Sequence, residues 1–422
     1  MKIRFAIFIS AILLLCVTII PTTLAQTDQD YPVITPENIT QVEQLKVFGE
    51  GIINDVIFSP DEQYLAMSSS VGIWLYSIDD LTTPIRLFGN YEIGVNLAIF
   101  NADSTRLFGA TEGGAVYVWD VATEQIINKI PSNNFISTPH PLNTQYFVTF
   151  NTSQTENQFL SEILIWDLKT NTSIQTTLNQ EGRFQIAGFS NNGKYLVTIF
   201  GRIASVWDTK TGDLVNQIDM QELCCSENLI FSPDGESVVI VGVKSPADNY
   251  TRGVIWNYIE NTVLIPDLRH RGLITSIEFS SDSNYLLSSG YDSLKIWNLK
   301  TDSLIIDTLE KYSGIKATFS PDGSYFAVSH NNGFNIIETE TGEMLYSFGI
   351  GDVYWVDFSP SGNVVMVIQG KTIQFWDIFT IENLYTIQIP SFIYSARFND
   401  EGNLIITEMR DGTIRLFGIP TP

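Results

Sequence analysis

The sequence predicts an all-β fold, a single closed β-propeller of four-stranded blades. Three observations predict it. A phenylalanine followed by a turn recurs at nearly constant spacing, a second anchor residue closes each repeat, and no segment shows the period of an amphipathic helix. Both ladders of anchors count nine repeats, and one repeat is degenerate, so we expect nine blades, with eight as the alternative.

The two ladders of anchors are independent of each other. Their spacing is 39 to 49 residues, apart from one double step of 89 residues in the first ladder, where the third repeat lacks its phenylalanine. The first ladder consists of Phe58, Phe100, Phe189, Phe231, Phe279, Phe319, Phe358 and Phe398. The second ladder consists of Tyr76, Trp119, Trp166, Trp207, Trp256, Trp297, Ile337, Trp376 and Phe417.

Each repeat carries a β-strand pattern. In the fifth repeat, the apolar residues 229–231 lead into the Ser-Pro-Asp-Gly turn at 232–235, and further apolar runs follow at 237–241 and 253–256. Proline presets φ at the second position of a β-turn, serine suits the first position and glycine the fourth. A Thr-Gly turn, at 211–212 in the fourth repeat, joins the third strand to a fourth. Four strands in each repeat make one propeller blade.

The last repeat differs from the others because it ends after its third strand. That strand, residues 413–417, would leave an open sheet edge. The strand-like residues 44–48 precede the first repeat, so we expect them to pair with residues 413–417 and to close the ring. The chain then divides as follows: a signal peptide (1–25), an N-terminal linker (26–43), the propeller (44–419) and a tail (420–422).

The first 25 residues have the composition of a secretory signal peptide. Lys2 and Arg4 precede an apolar run at 5–20, and Thr-Leu-Ala at 23–25 supplies a cleavage site. We expect cleavage after Ala25, which predicts a secreted or extracytoplasmic protein with no stable membrane insertion. A retained signal would instead make a membrane anchor and a surface-bound structural module.

Composition limits the partners and the covalent bonds of the chain. A formal net charge of −24 repels nucleic acid and anionic membranes, so we expect no nucleic-acid partner. Three cysteines, of which Cys16 lies in the signal, exclude a disulfide framework. The adjacent Cys224 and Cys225 could form only a strained vicinal disulfide, and two free thiols are the alternative. We expect a monomer.

The second ladder contains a Trp-Asp dipeptide, and with it the chain resembles the WD-repeat (WD40) family, in particular exported bacterial WD40 repeat proteins. The resemblance covers residues 44–419 and implies the propeller fold, but this fold supports many unrelated functions. The dipeptide itself stands at Trp119-Asp120, Trp166-Asp167, Trp207-Asp208 and Trp376-Asp377, with Trp256-Asn257 and Trp297-Asn298 as near matches.

One element of the family pattern is nearly absent. In the family, a histidine of a Gly-His dipeptide, a strand serine or threonine, a turn aspartate and the tryptophan form a buried hydrogen-bonded tetrad in each blade. This chain has three histidines and no Gly-His. The resemblance implies a tetrad in the sixth repeat alone, formed by His270, Ser289, Asp292 and Trp297, which makes His270 a structural residue.

No catalytic, metal-binding or cofactor-binding motif is present in the sequence. The recurring Ser-Pro-Asp acids are turn residues, so we expect no catalysis, no metal and no cofactor. We expect a scaffold that binds a protein or peptide through one rim. The alternative is an extracellular propeller enzyme, a hydrolase or lyase, with its active site in the central channel. Candidate rim residues are Tyr354, Trp355, Tyr250, Arg252, Tyr312, Phe392 and Tyr394. Trp355 is equally compatible with packing between blades.

Overall fold

A computed structural model describes most of the chain after residue 30. The described residues are 31–49, 52–81, 85–88, 94–101, 103–111, 115–131, 134–136, 146–154, 159–167, 172–181, 184–220, 223, 225–243, 250–271, 273–290, 293–309 and 316–420. The proposed signal peptide lies outside them. They contain a short 3-10 turn, η1 (Ile39–Gln41), and β-strands. No helix among them is long and apolar enough to cross a membrane.

Successive groups of four strands along the chain form the blades. Blade 1 has β2 (Ile53–Phe58), β3 (Tyr64–Ser69), β4 (Gly72–Ser77) and β5 (Ile85–Phe88); blade 2 has β6 (Val95–Phe100), β7 (Arg106–Thr111), β8 (Ala115–Asp120) and β9 (Ile126–Pro131). Blade 3 has β10 (Asn134–Ile136), β11 (Tyr146–Gln154), β12 (Phe159–Asp167) and β13 (Thr172–Glu181); blade 4 has β14 (Phe184–Phe189), β15 (Tyr195–Phe200), β16 (Ile203–Asp208) and β17 (Leu214–Asp219).

The remaining blades follow the same scheme. Blade 5 has β18 (Cys225–Phe231), β19 (Ser237–Val243), β20 (Tyr250–Asn257) and β21 (Thr262–Arg271); blade 6 has β22 (Ile274–Phe279), β23 (Tyr285–Gly290), β24 (Ser293–Asn298) and β25 (Ser303–Leu309). Blade 7 has β26 (Ala317–Phe319), β27 (Tyr325–His330), β28 (Gly333–Glu338) and β29 (Met344–Phe348); blade 8 has β30 (Trp355–Phe358), β31 (Val364–Gln369), β32 (Thr372–Asp377) and β33 (Asn383–Gln388). Blade 9 has β34 (Ile393–Phe398), β35 (Leu404–Met409), β36 (Ile414–Gly418) and the N-terminal strand β1 (Glu43–Phe48).

The described strands therefore form nine antiparallel four-stranded sheets, of which eight are meanders of consecutive strands and the ninth combines β34, β35 and β36 with β1. The protein is an all-β β-propeller of four-stranded blades. In every blade except blade 3, whose turn lies outside the described residues, the first strand ends in the turn expected from the sequence. Gly235 and Gly323 in two of these turns have φ of 69° and 72°, a conformation that favours glycine. The outer edge of the last sheet is β1, which pairs antiparallel with β36, so strands from opposite ends of the chain share one sheet.

The core lies between the sheets. Each of nine apolar clusters combines side chains of two blades that are neighbours in chain order or, in one case, the first and the last blade. Trp119 of blade 2 is fully buried against Ala66 of blade 1, and Leu416 of blade 9 is fully buried against Leu65 of blade 1. The anchors of both ladders lie at these interfaces because the period-2 alternation of each strand points them toward the adjacent sheet.

The segment before β1 is more than the linker that the sequence predicts. Residues 31–42, here called the strap, bury Ile34, Ile39 and Val42 to 1%, 0% and 1% exposure in the cluster between blades 8 and 9. The Ile34 N–H donates to the carbonyl of Gly402 in blade 9 at 2.9 Å. The strap and β1 thus attach the N-terminal end of the chain to its last two blades.

Candidate binding surface

Each blade has an upper rim, where its second strand turns into the third and its fourth strand connects to the next blade. On the upper rim of blades 8 and 9, Tyr354, Phe392 and Tyr394 are 40%, 44% and 61% exposed. These three residues, here called the aromatic patch, are among the rim residues expected from the sequence. Exposed aromatic side chains in one place on a rim favour a contact surface.

A recurring backbone irregularity explains why a side chain such as Tyr394 points outward. The register of β34 against β35 shifts between Ile393 and Ser395, which is a β-bulge at the rim end of the first strand. The first strands of blades 1 to 6 carry the same shift at the corresponding place. The bulge leaves Tyr394 outside the alternation that buries Ile393 and Ala396.

Two cations lie close to the Phe392 ring of the aromatic patch. The Lys371 ammonium lies 5.4 Å and the Arg410 guanidinium carbon 5.9 Å from the centroid of the Phe392 ring. Both cations are exposed and belong to the upper-rim turns of blades 8 and 9. Cation–π contacts of this kind hold an exposed ring in one orientation, which lowers the entropy that a partner's binding would cost.

Trp355 does not belong to the aromatic patch. Its ring is half-buried, packs on the cluster between blades 8 and 9, and has the Lys316 ammonium 5.1 Å from its centroid. The indole Nε1 is buried without a hydrogen-bond partner among the described atoms. These contacts favour packing between blades, the second of the two interpretations that the sequence left open.

Tyr250 and Arg252 lie on the upper rim of blade 5, in a strand and not in a loop. The sequence suggests long loops at 151–161 and 244–253, but β11, β12 and β20 extend into them, and the Tyr250–Arg271 pair is part of the ladder. Sequence reasoning missed the neighbours Arg269 and Arg271, which the long strand β21 places beside them. Tyr312 and Cys224 lie outside the described residues, as does the side chain of Cys225.

The histidine of the expected tetrad has different partners. His270 is fully buried, its Nε2 lies 2.9 Å from the Ser288 Oγ, and its Nδ1 lies 3.1 Å from the Ser293 Oγ. The choice of Ser289 was wrong by one residue: Trp297 pairs with Leu286, so the alternation of the strand puts Ser288 on the side of the tryptophan. The Trp297 Nε1 has no partner in the described part of the chain. Asp292 lies outside it.

Blade 4 contains a tryptophan bond that the sequence did not predict. The Trp207 Nε1 donates to the Thr198 Oγ1 at 2.9 Å, and Thr198 has the same place in its strand as Ser288 in blade 6. In blade 2 that place is Gly109, where an added Cβ would lie 2.8 Å from the Trp119 ring. In each of these blades, one residue of the second strand pairs with the tryptophan, and the site residue follows it two positions later. A polar or small residue at that position is therefore the sequence signal for the site.

We expect the His270→Leu variant to lose roughly 2 to 4 kcal/mol of unfolding free energy, because it leaves two buried serine hydroxyls without their ring nitrogen. Urea denaturation of the two proteins measures the difference. Thr198→Val, which removes one tryptophan bond in another blade, is the comparison and should cost about 1 kcal/mol. A loss below about 0.5 kcal/mol for His270→Leu would contradict its structural role.

The first strands form the inner edges of the sheets, which in a propeller line the central channel. Among the side chains that the structure describes in these strands or just before them, five are charged. In blade order they alternate in sign: Glu278, Lys316, Asp357, Arg397 and Asp55. Sequence reasoning did not select them, although a charged residue inside a short apolar strand is a visible signal. Among the described ion pairs, none joins two of these five residues.

Each charged group instead binds the backbone or a hydroxyl of a neighbouring blade. The Phe398 N–H donates to the Asp357 Oδ2 at 3.3 Å, and the Phe319 N–H donates to the Glu278 Oε1 at 3.4 Å. Arg397 donates to the Val56 carbonyl at 2.7 Å. The first strand of a blade is the inner edge of its sheet, so these bonds satisfy backbone groups that no strand pairs.

Burial governs the titration of the channel acids. It raises the pKa of Asp357 to about 7 and that of Asp55 to about 6, and it raises the pKa of Glu278, in each case against the stabilising charge of Lys316 or Arg397. Glu278 and Asp357 are only half-buried by exposed area, so they keep contact with the channel. No group of three or more His, Cys, Asp or Glu side chains suited to a metal ion occurs among the described residues.

The comparisons with known proteins agree with this architecture. The family model for the WD domain, G-beta repeat, matches residues 264–298, which extend from β21 through β24. Two solved structures share the fold. The computationally designed Ika8 protein has a TM-score of 0.51 and 18% identity, and the match covers 88% of this chain and 98% of that one. The C-terminal WD40 domain of Sif2 has a TM-score of 0.53 and 14% identity, and the match covers 90% of this chain and 99% of that one.

The relatives by sequence include WD repeat-containing proteins and receptor-associated proteins. The serine-threonine kinase receptor-associated protein of Gallus gallus is 27% identical over 161 residues, 37% of this chain and 46% of the relative. Human WD repeat-containing protein 3 is 22% identical over 36% of this chain and 18% of its own length. The match therefore spans less than half of either relative. Together with the family model and the solved structures, these similarities confirm the resemblance to the WD-repeat family.

Proposed function

We propose that this WD-repeat propeller is an extracytoplasmic scaffold that binds a protein or peptide through its upper rim and has no catalytic activity of its own. The aromatic patch carries the proposal, since it exposes three rings on the rims of two neighbouring blades, one of them in contact with two cations. Residues 1–25 support export, and the net charge of −24 favours solubility and disfavours nucleic acid.

The charged channel residues support a structural interpretation over an enzymatic one. Glu278, Asp357 and Arg397 each bind the backbone of an adjacent first strand, a task that accounts for their position without a substrate. Recurrent inter-blade bonds of this kind, such as the Ser276 Oγ donating to the Ala317 carbonyl at 2.7 Å, use neutral residues for the same purpose. We therefore do not assign the acids to catalysis.

We also propose that the nine sheets make one closed ring of monomeric protein. Support comes from the β1–β36 pairing and from the cluster in which blade 9 packs on blade 1. The Asn399 amide of blade 9 donates to the Glu62 carboxylate of blade 1 at 2.6 Å, which adds a polar contact across the same seam. A rigid ring would hold the rim residues of different blades at fixed separations for a partner.

Affinity capture tests the binding surface. Mature protein is added to the extracellular medium of the producing cells, and the proteins that it retains are compared with those retained by the triple variant Tyr354→Ala, Phe392→Ala, Tyr394→Ala. We expect at least one partner that the wild type enriches and the triple variant loses. A second triple variant, Phe379→Ala, Leu214→Ala, Met344→Ala, removes exposed apolar side chains near the lower rim and is the matched control.

The control variant should retain the partner, because its substitutions lie at the starts of outer strands or in the turns before them, away from the upper rim. Equal capture by the wild type and the aromatic-patch variant would contradict the proposal. Both variants should keep the thermal stability of the wild type, since exposed rings contribute little to folding.

A further inference from the structure

We infer that the upper rim of blade 5 carries a second site, one that binds carboxylate groups of an acidic protein segment. This inference rests on the proposed scaffold function and names the chemistry of one partner. The site consists of Arg252, Arg269, Arg271 and Tyr250, here called the arginine patch. It is separate from the aromatic patch of blades 8 and 9.

The pairing of two strands assembles the arginine patch. In the ladder of β20 and β21, Arg252 lies opposite Arg269 and Tyr250 lies opposite Arg271. Because side chains alternate along a strand, these four residues share one face of the sheet. The other face carries Thr251 and His270, which are 3% and 0% exposed, so the arginine face is the one turned away from the interface with blade 6.

The arginine patch is accessible and partly preorganised. Arg269 and Arg271 are exposed, whereas Arg252 and Tyr250 are half-buried. The Arg269 guanidinium carbon lies 5.7 Å from the centroid of the Tyr250 ring, a contact that orients the guanidinium plane. Each guanidinium has five N–H donors, so one that already has a partner within the protein can still bind a carboxylate.

The arginine patch concentrates positive charge on one face of the sheet. Like charges directly opposite each other in an antiparallel pair destabilise a sheet, and here Arg252 and Arg269 are such a pair with Arg271 two residues away. The chain has 23 basic against 47 acidic residues, so three arginines on one face of one sheet depart from its general character.

The shape of the guanidinium selects the partner. Its planar fork binds carboxylate oxygens in pairs, and several forks on one face suit a segment with several carboxylates. The rest of the surface repels such a segment, which would confine its binding to this face. We therefore expect an acidic peptide to bind to the arginine patch.

Fluorescence anisotropy with labelled deca-glutamate tests the site. The wild type should bind this probe, and the variant Arg252→Gln, Arg269→Gln, Arg271→Gln should bind it about tenfold more weakly or worse. Arg202→Gln, on the upper rim of blade 4, is the matched control, since it removes an exposed arginine outside the arginine patch, one that pairs with Asp219 at 3.1 Å. It should change the affinity by less than about twofold. The single variant Arg271→Gln changes only the end of a strand and is used if the triple variant does not fold. We expect it to weaken the binding of the probe less than the triple variant does.

Three outcomes would overturn the inference: no binding of deca-glutamate to the wild type, equal binding to the triple arginine variant, or binding of heparin or pyrophosphate with no binding of the peptide. The last would assign the site to sulfated or phosphorylated ligands. The affinity capture described above separates this inference from the proposed function. A partner lost by the aromatic-patch variant, together with no binding of deca-glutamate to the wild type, would retain the scaffold and reject the arginine site.

Discussion

A protein that lacks residues 1–48 should unfold far below the temperature at which the protein that lacks only residues 1–30 unfolds. The longer truncation removes the strap and β1, with Ile34, Ile39, Val42 and Phe48 all buried to 1% or less. Burial of one large apolar side chain contributes about 1.5 to 3 kcal/mol, so the four together contribute on the order of 5 kcal/mol or more. A whole domain has a net stability of only about 5 to 15 kcal/mol.

Differential scanning calorimetry of the two truncated proteins measures the effect, and the shorter truncation is the control because it leaves every described contact in place. A single substitution distinguishes the contribution of the strap to stability from that of β1. Ile39→Asp disrupts the packing of the strap but keeps the β1–β36 pairing. We expect it to lower the melting temperature less than the full truncation does. Equal melting temperatures for the two truncations would show that the N-terminal strand does not hold the ring together.

The stability of the protein should fall as the pH rises from about 5 to about 8. Burial, together with the nearby charges of Glu401 and Asp400, raises the pKa of Glu62 to about 7. The pKa values of Asp55 and Asp357 are raised as well. A carboxyl group whose pKa is higher in the folded state favours folding while it is protonated. That contribution is complete below the unfolded pKa of about 4.3 and is lost by the time the pH exceeds the folded pKa.

Glu62 lies at the seam between the first and the last blade, so its ionisation places a further negative charge beside two others at the closing interface. The Glu62→Gln variant should therefore be more stable than the wild type at pH 8, by about 1 to 2 kcal/mol after allowance for solvent screening, and nearly equal to it at pH 5. Chemical denaturation across this range measures both curves. A wild-type curve that rises with pH would refute the expectation.

The sequence predicts the blades well because each is marked twice by residues that the interfaces require. In blade 5, for example, Phe231 ends the first strand and Trp256 lies in the third strand. Both residues are buried. The turn residues also predict which strands of a blade follow each other. By contrast, Ile34, Ile39 and Val42 follow neither a period of two nor one of 3.6, so nothing in the strap marks it as a packed segment.

The candidate site was predicted only in part, since exposure depends on backbone detail that composition does not show. Tyr394 is exposed because of a bulge, whereas Trp355, one residue from Tyr354, is held under Lys316. The arginine patch escaped notice because β21 extends to Arg271, farther than most outer strands. The error between Ser289 and Ser288 has the same origin: a shift of one residue moves a side chain to the opposite face of a strand.

The pairing of β1 with β36 constrains the order in which this protein can be completed. A ribosome releases the N-terminal strand first and its partner last, so β1 has no native neighbour until nearly the whole chain has been synthesised. Until its partner is synthesised, this unpaired strand is kept polar by Glu43, Gln44 and Lys46. Slow completion of the last sheet would be the expected final step of maturation, and a chain cut short by even one blade would retain an unmatched edge at each end.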